Sequence, residues 1–206
     1  MSRSRRKQDL DLSKADRSRE NILDAAAKLF RNKGYAATTL RDIANAASMK
    51  AGSIYYHFRS KEELLITVLD LGMRAVSDAV TQAIDALPPS ADFRARITVA
   101  LRTHLIALFR HGDYTSANIR IFGQIPKSAR RQHQPVRAAY GQYWHGLLKA
   151  GQAAGEVKAD VDLGMARMMV LGAMNWATDW YESGTHSLDR VARAFAALFL
   201  NGILKR

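Results

Sequence analysis

Residues 38 to 61 contain the densest group of side chains suited to non-covalent binding of an anion. The segment reads TTLRDIANAASMKAGSIYYHFRSK. Lys50 and Lys61 can bind phosphates, while the hydroxyls of Ser53, Tyr55 and Tyr56 can donate to phosphate oxygens or base edges. The chemistry that this composition favours is recognition of a polyanion.

Catalytic chemistry has no comparable pattern. The chain contains no Gly-rich phosphate loop, no HExxH and no nucleophile elbow. The six histidines are scattered, and none pairs with carboxylates at metal-ligand spacing on one helix face. We therefore predict no enzyme activity, no cofactor and no metal site.

The polar groups of this segment are predicted to lie on two short helices. Thr39 is a good N-cap with Asp42 three residues later, and apolar residues follow at helical spacing. The residues Ala47 to Met49 are too few for anything but a turn, and a second helix is predicted from Lys50 to Phe58. Two helices joined by so short a turn form a helix-turn-helix, whose second helix fits the major groove of DNA.

The alternative interpretation of this pair is an ordinary surface helix of a helical protein. In that case Tyr56 and His57 are simply half-buried. After the pair, Ser60 and Glu63 form an S-x-x-E capping box that begins a third, long helix running to Leu87.

Composition favours a nucleic-acid partner. The 206 residues carry a net charge of +12 and a pI near 10.2. Residues 1–60 hold 13 basic against 6 acidic residues, whereas residues 61–206 hold 18 against 13. More than half of the excess positive charge thus lies in under a third of the chain, which is the expected footprint of polyanion binding.

Localisation is predicted from what the sequence lacks. The absence of cysteine excludes disulfides and thiolate metal sites and fits a reducing cytoplasm. No apolar segment follows the basic N-terminus, so no signal peptide is expected. The richest apolar run, Met168 to Ala177, is too short to span a membrane. We expect a cytoplasmic protein without a membrane partner.

Three runs, TTLRDIA, GSIYYHF and SKEELL, resemble the DNA-binding domain of TetR-family transcriptional regulators. The similarity begins near Arg17 and covers about 60 residues without a gap. It implies an all-α protein that binds double-stranded DNA through the following residues: Thr38, Thr39, Arg41, Ser48, Lys50, Ala51, Gly52, Ser53, Tyr55, Tyr56, His57 and Lys61.

Two residues depart from the family pattern. Ser48 stands at the turn position where the family usually has glycine, and a positive φ there costs a non-glycine residue about 1 kcal/mol. Lys50 stands where the family often has Ser or Thr, so the second helix lacks a capping side chain but gains a phosphate-seeking charge.

Three segments are predicted. Residues 1–14 form a flexible basic arm, which either adds DNA contacts or is only a solvated tail. Residues 15–72 form the helix-turn-helix domain, with a first helix from Asp16 to Lys33. Residues 73–206 form a helical ligand-binding and dimerisation domain. Its helices are expected at 91–111, 114–124, 127–154, 162–183 and 187–205, with a kink or break at Pro135.

Aromatic and apolar residues of this second domain are candidates for a ligand pocket, although they also suit a filled core. They are Leu105, Phe109, Phe122, Tyr140, Tyr143, Trp144, Met174, Trp176 and Trp180. The stretch from Met174 to Tyr181 is similar to an N-W-x-x-x-W-Y stretch of TetR-family regulators that respond to acyl-CoA thioesters. Arg130, Arg131 and Arg137 either bind the anionic part of such a ligand or are surface charges.

The last two helices are apolar on more than one face, which predicts that they are buried twice. A second copy of the chain is the most economical cover, giving a twofold four-helix interface. The predicted interface residues are Met169, Ala173, Ala177, Val191, Phe195, Leu198 and Phe199. The alternative is a monomer in which these helices are central.

These observations predict a homodimeric transcriptional regulator. We expect a repressor that binds a palindromic operator and is released by a small apolar or acyl-CoA-like effector. The competing hypothesis is a helical small-molecule-binding or scaffolding protein whose basic end serves only solubility and that binds no specific DNA.

Overall fold

The computed structural model describes residues 13–182 and 184–204. The predicted basic arm falls almost wholly outside this range. Nine α-helices account for the regular structure of the described residues, as the all-α prediction requires. They are α1 (Lys14–Lys33), α2 (Leu40–Ala46), α3 (Ala51–His57), α4 (Lys61–Asp85), α5 (Phe93–Arg110), α6 (Gly112–Arg120), α7 (Lys127–Ala153), α8 (Leu163–Trp180) and α9 (Leu188–Ile203).

Helix α1 begins earlier than the sequence analysis predicted. Ser13, not Asp16, is the N-cap: its hydroxyl accepts from the Asp16 amide at 3.1 Å, and the Asp16 carboxylate accepts from the Ser13 amide at 3.2 Å. Asp16 is therefore the third helical residue, where a carboxylate also favours the positive end of the helix dipole. Gly34 ends the helix with a φ of +80°.

The helix-turn-helix is formed by local signals. The Thr39 hydroxyl caps α2 by accepting from the Asp42 amide at 3.1 Å. Ser48 in the following turn has a φ of +56°, so the left-handed conformation that the family pattern implies is present without glycine. Lys50 precedes α3 and provides no capping side chain. Ser60 caps α4 by accepting from the Glu63 amide at 3.0 Å.

Buried residues form two clusters that share α4. The first lies among α1 to α4 and is closed by residues of α6, α7 and the loop between them, including Ala117, Ile121 and Ala129. The second lies among α4, α5, α7, α8 and α9. Along α4 the change from one cluster to the other falls between Leu69 and Val76.

Gly72 lies at this change, where α4 crosses α6 at backbone contact. A Cβ atom on Gly72 would stand 2.6 Å from the Tyr114 carbonyl oxygen and 2.8 Å from the Asn118 side-chain nitrogen. Only glycine permits this approach without a shift of one helix.

Two helix boundaries in the second domain differ from the prediction. Helix α6 spans Gly112–Arg120 instead of 114–124. Helix α7 is unbroken through Pro135. Proline removes the hydrogen bond to the carbonyl of Arg131, but both residues lie on the exposed face of the helix, where water can solvate that carbonyl. Among the described residues, no helix has the length and hydropathy of a membrane span.

Candidate nucleic-acid interface and internal cavity

Helix α3 presents its polar face to solvent because its apolar face is anchored in the first cluster. Ile54 and Phe58 are buried, whereas the side chains of Tyr55 and Tyr56 are 62% and 83% exposed. A large aromatic hydroxyl that is held outward on a short, well-anchored helix suits contacts with bases or phosphates in a groove.

The predicted DNA-binding residues divide by exposure. Half-buried members are Ser53, His57 and Lys61, and Thr38 is fully buried. The exposed members are Thr39, Arg41, Ser48, Lys50, Ala51, Gly52, Tyr55 and Tyr56. The exposed set is contiguous around the helix-turn-helix, and its contact with DNA stays a prediction.

The side chains of Thr38 and Lys61 hydrogen-bond to backbone carbonyls of the segment between α1 and α2. Thr38 is fully buried, which corrects its predicted placement at the DNA, whereas DNA contact by the half-buried Lys61 stays a prediction. The Thr38 hydroxyl donates to the Gly34 carbonyl at 2.7 Å. The Lys61 ammonium donates to the carbonyls of Tyr35 at 3.0 Å and Thr38 at 2.9 Å, and it lies 4.2 Å from the Tyr35 ring centre. The Thr38 donor and two of the three Lys61 donors are therefore occupied within the protein.

His57 is also held by the protein. Its Nε2 atom is 2.9 Å from the Ser18 hydroxyl, which joins the end of α3 to α1. This contact holds the His57 ring against α1. It leaves Tyr55 and Tyr56, rather than His57, as the outward aromatic groups of α3.

A cavity of about 520 Å³ lies in the second domain. It is lined by α4, α5, α6, α7 and α8 and opens to solvent beside the exposed Met168. Apolar walls come from Met73, Val76, Leu108, Ile119 and Leu171. Its volume is in the range of small-molecule sites.

One wall of the cavity carries an uncharged polar network. The buried His104 lies with Nδ1 2.8 Å from the Tyr140 hydroxyl and Nε2 3.3 Å from the Asn175 side-chain oxygen. An amide oxygen only accepts, so Nε2 carries the proton and Nδ1 accepts from Tyr140. Burial lowers the pKa of His104 to about 4 and raises the pKa of the Tyr140 hydroxyl. Both groups are therefore neutral at physiological pH.

The charged groups of the cavity are both cations. Arg137 and Arg167 line it, and no Asp or Glu is among the lining residues. The Arg137 guanidinium lies 3.9 Å from the Phe122 ring centre, and its pKa is lowered by burial although arginine stays charged. An Arg167 nitrogen is 3.4 Å from the Gly141 carbonyl. Within the described residues neither arginine has a carboxylate partner, so the cavity favours an anion.

Of the nine predicted ligand residues, only Tyr140 lines this cavity. Leu105, Trp144 and Met174 are fully buried in the second cluster, which is the filled-core alternative. Tyr143 is half-buried beside that cluster. The wall of this cavity therefore differs from the predicted pocket, because periodicity alone does not say which apolar side chains meet a void; which residues bind a ligand stays a prediction.

The remaining aromatic predictions also lie elsewhere. Phe109 packs on Tyr181 with ring centres 4.7 Å apart, and Phe122 supports Arg137 from outside the cavity. Trp176 and Trp180 are exposed. The N-W-x-x-x-W-Y stretch is thus divided, since only its asparagine faces the cavity.

Three lining residues of α8 were missed although the sequence contained a signal. Arg167, Leu171 and Asn175 follow each other at intervals of four, so they share one helix face. In a helix that is otherwise apolar nearly all round, an arginine and an asparagine on one face indicate a polar cavity wall. Of the three arginines proposed for an anion, only Arg137 lines the cavity; Arg130 donates to the carbonyls of Phe122 and Gly123.

The predicted dimer residues divide in a similar way. Met169, Ala173 and Leu198 are exposed, and Phe195 and Phe199 are partly buried. Ala177 and Val191 are buried inside the protomer, which corrects their assignment. Exposed large apolar side chains are concentrated on α8 and α9: Met165, Met168, Met169, Trp176, Trp180 and Leu198.

A helix-turn-helix with an outward aromatic recognition helix, joined through a shared helix to a helical domain with a cavity, defines a DNA-binding regulator with a sensory domain. Residues 22–68 match the family model of bacterial regulatory proteins of the tetR family. Residues 90–203, more than half of the chain, match the tetracyclin repressor-like C-terminal domain. The chain belongs to the TetR family, and it is a DNA-binding transcriptional regulator.

Relatives along the whole chain agree with this assignment. The transcriptional repressor KstR2 of Rhodococcus jostii strain RHA1 is 28% identical over 199 residues, 94% of each chain. The TetR family regulator PfmR of Thermus thermophilus superposes with a TM-score of 0.76 at 28% identity, over 90% of this chain and 99% of that one. The family and the fold class predicted from sequence are confirmed, and these relatives are regulators rather than enzymes.

A third structure shares the fold. AibR, solved in complex with isovaleryl coenzyme A and operator DNA, superposes with a TM-score of 0.78 over 88% of this chain and 97% of that one. Its sequence identity is 20%.

Proposed function

We propose that this regulator is a dimeric repressor that binds a palindromic operator and leaves it when an anionic effector with an apolar body fills the cavity. Acyl-CoA thioesters are the ligand class that we favour. The cavity is the observation that carries the proposal, because it combines apolar walls, two cationic side chains and direct contact with the helices of the DNA-binding domain.

The cavity adjoins the DNA-binding domain through α4. Gly72, Met73 and Val76 of α4 line the cavity, and Leu69, one turn earlier, belongs to the first buried cluster. A ligand that displaces this part of α4 therefore acts on the same helix that packs under the helix-turn-helix.

The cavity also adjoins the DNA-binding domain through α6. This helix contributes Ile119 to the cavity wall. It is tied to α1 by the Tyr114 hydroxyl, 2.7 Å from the Asp24 carboxylate, and by an ion pair of 2.6 Å between Asp113 and Arg31. Since effectors act by binding two conformations with different affinity, two such connections provide a physical route for release.

The cavity chemistry supports an acyl thioester. The phosphates of coenzyme A are anionic and suit Arg137 and Arg167, while an acyl chain suits the walls formed by Val76, Leu108 and Leu171. AibR, which shares the fold, was solved with an acyl-CoA, and we extend that ligand class to this chain as part of the proposal.

The exposed apolar surface supports a dimer. Trp176, Trp180 and Leu198 (79% exposed) lie on α8 and α9, the two helices that the sequence predicts to be buried twice. An apolar patch of this kind marks an interface, and a twofold axis lets the same patch cover itself. The two recognition helices would then read half-sites about 34–36 Å apart.

Operator binding is tested by selecting bound duplexes from a random-sequence pool at two salt concentrations. We expect an enriched palindrome whose affinity falls with salt. Tyr56→Ala should weaken specific binding by about 1–3 kcal/mol without changing the oligomeric state. Tyr56→Phe keeps the ring and separates the loss of the hydroxyl from the loss of packing. A pool without an enriched motif would contradict the proposal.

The effector class is tested by calorimetry with isovaleryl-CoA, longer acyl-CoA thioesters, free coenzyme A and the matching free acids. Acyl-CoA thioesters should bind and release the selected operator. Arg137→Gln and Arg167→Gln should weaken this binding by roughly tenfold or more, since each removes one charge-assisted contact. Arg131→Gln, an exposed arginine on the same helix as Arg137, is the control. Equal affinity of all three variants would contradict the assignment of the anion site.

A further inference from the structure

Three polar residues meet behind the cavity wall, one from each of α4, α6 and α7. The His133 side chain has no exposed surface. Its Nδ1 atom is 2.6 Å from an Asp70 carboxylate oxygen, and its Nε2 atom is 2.9 Å from the Asn118 side-chain oxygen. Asn118 also lines the cavity. We call these three residues the latch.

The orientation of Asn118 follows from its surroundings. Its side-chain nitrogen donates to the Leu69 carbonyl at 2.7 Å and lies 3.4 Å from the Tyr114 carbonyl. Both carbonyls only accept, so the amide nitrogen must face them. The amide oxygen must therefore face His133, as the structure has it.

This orientation determines where the protons of His133 are. An amide oxygen only accepts, so Nε2 of His133 must carry a hydrogen. An ionised Asp70 also only accepts, so Nδ1 must carry one too. The His133 ring thus carries two N–H groups, one more than a neutral imidazole.

The groups around His133 act on this proton in opposite directions. Burial, the largest influence, lowers the pKa of His133; the Asp70 carboxylate raises it, and the Arg137 charge of α7 lowers it. From α6 comes the neutral amide of Asn118, and the Phe122 ring lies edge-on at 6.3 Å. Taken alone these influences favour a neutral ring, yet both short hydrogen bonds require the protonated form.

Asp70 can supply the compensating charge. Its side chain is 28% exposed, so water reaches the carboxylate while the imidazole is buried. A charge-assisted hydrogen bond of 2.6 Å is short enough to hold the shared proton strongly.

We propose that Asp70, His133 and Asn118 form a proton-dependent latch between the cavity and the DNA-binding domain. The proposal rests on the proposed function, in which the cavity takes the effector. The latch joins the carbonyl of Leu69, in the first buried cluster, to α6 and α7. A ligand that displaces Asn118 removes the oxygen that accepts from Nε2 of His133. The latch then opens, and His133 releases its extra proton. Loss of the proton at high pH opens the same latch without a ligand.

The proton is tested by nuclear magnetic resonance of the full-length protein with ¹⁵N-labelled histidine. We expect His133 to keep both ring nitrogens protonated at a pH above the ordinary histidine pKa of about 6.5. Asp70→Asn should abolish this signature, whereas Asp78→Asn, an exposed acid further along α4, should leave it unchanged. A His133 ring with a single protonated nitrogen in the wild type would overturn the proposal.

The coupling is tested by operator affinity from about pH 6 to about pH 9, a range around the ordinary histidine pKa. The probe is the palindromic duplex that the selection yields. Above the pKa of the latch, release of one proton lowers wild-type affinity by up to about tenfold per pH unit. His133→Gln and Asp70→Asn should lose this part of the pH dependence, and His111→Gln should keep it.

The outcomes separate the latch from the proposed function. A doubly protonated His133 together with a flattened profile in His133→Gln supports the latch. A wild-type protein that binds operator with the same pH profile as Asp70→Asn overturns the latch and leaves the repressor proposal standing. A wild-type protein that binds no operator overturns both proposals. The two negative results are distinguishable, because the wild-type protein binds operator in the first and does not in the second.

Discussion

The two buried clusters are both built from α-helices but differ in how completely their apolar side chains are packed. In the DNA-binding domain, Ile22, Phe30, Ile43 and Leu65 leave no exposed surface, and each helix except α3 begins with a capping side chain. In the second domain the helices line a cavity of about 520 Å³ and leave tryptophans exposed on α8.

The difference follows from what each domain must do. A recognition helix needs one fixed geometry, which dense packing provides. A sensory domain needs space for a ligand and a surface for a partner, and both leave apolar contacts unmade within the protomer. The connection between the two combines the apolar packing of α6 and α7 on the first cluster with polar and close contacts around Gly72 and Asn118.

The largest effect should come from the same truncation made in each cluster. Leu65→Ala removes a fully buried side chain and should lower the free energy of unfolding by about 3–5 kcal/mol. Leu171→Ala enlarges a void that already exists and should cost less than about 2 kcal/mol. Urea titration of both variants measures the difference. Equal losses would show that the second domain is packed as tightly as the first.

Acid should destabilise the second domain through His104. Because its folded pKa of about 4 lies below the unfolded value of 6.5, the unfolded chain binds the proton first. Stability present above pH 6.5 is lost as the pH falls toward 4, by about 3 kcal/mol at most.

This pH dependence is measured from unfolding free energies of the wild type and two variants. His104→Gln should remove this part of the acid sensitivity, whereas His111→Gln, which changes an exposed histidine, should not. An unchanged profile in His104→Gln would mean that the pKa of His104 is the same in the folded and the unfolded chain.

The crossing of α4 and α6 is tested by adding one methyl group. Gly72→Ala places a Cβ against the Tyr114 carbonyl and should cost about 1–3 kcal/mol of stability, with weaker operator binding. Gly146→Ala in α7 meets no atom within 4 Å and should stabilise by about 0.5–1 kcal/mol. Thermal unfolding with a binding assay distinguishes them. A stable Gly72→Ala protein would mean that the two helices can separate freely.

The smallest effect concerns the turn of the helix-turn-helix. Ser48→Gly relieves a positive φ and should stabilise by up to about 1 kcal/mol. Ala47→Gly, at the neighbouring position with a φ of −81°, should instead destabilise by about 0.5–1 kcal/mol. Differential scanning calorimetry resolves the opposite signs. A destabilised Ser48→Gly variant would show that the serine side chain stabilises the turn.

The DNA-binding domain was the more predictable of the two. Its caps at Thr39 and Ser60, its left-handed turn at Ser48 and the outward side of α3 are determined by neighbours a few residues away. The errors there were the N-cap of α1, which is Ser13 instead of Asp16, and the exposure of Thr38, whose hydroxyl is buried against the Gly34 carbonyl.

The cavity was less predictable for a physical reason. Helical spacing identifies an apolar face, but Trp144 and Met174 fill the core while Trp176 is exposed, and these residues are of similar character. Which face meets a void depends on helices far apart in sequence. The pairing of Arg137 with Arg167 and of His133 with Asp70 depends on the same long-range packing.

The sequence by itself determined the helix-turn-helix, the number and order of the described helices and the family, because capping, periodicity and turn chemistry are local properties. Only the tertiary structure decided which residues enclose the cavity, which apolar faces remain uncovered and how His133 is bonded. These features arise where α4, α6, α7 and α8 meet, and no short stretch of sequence contains their partners.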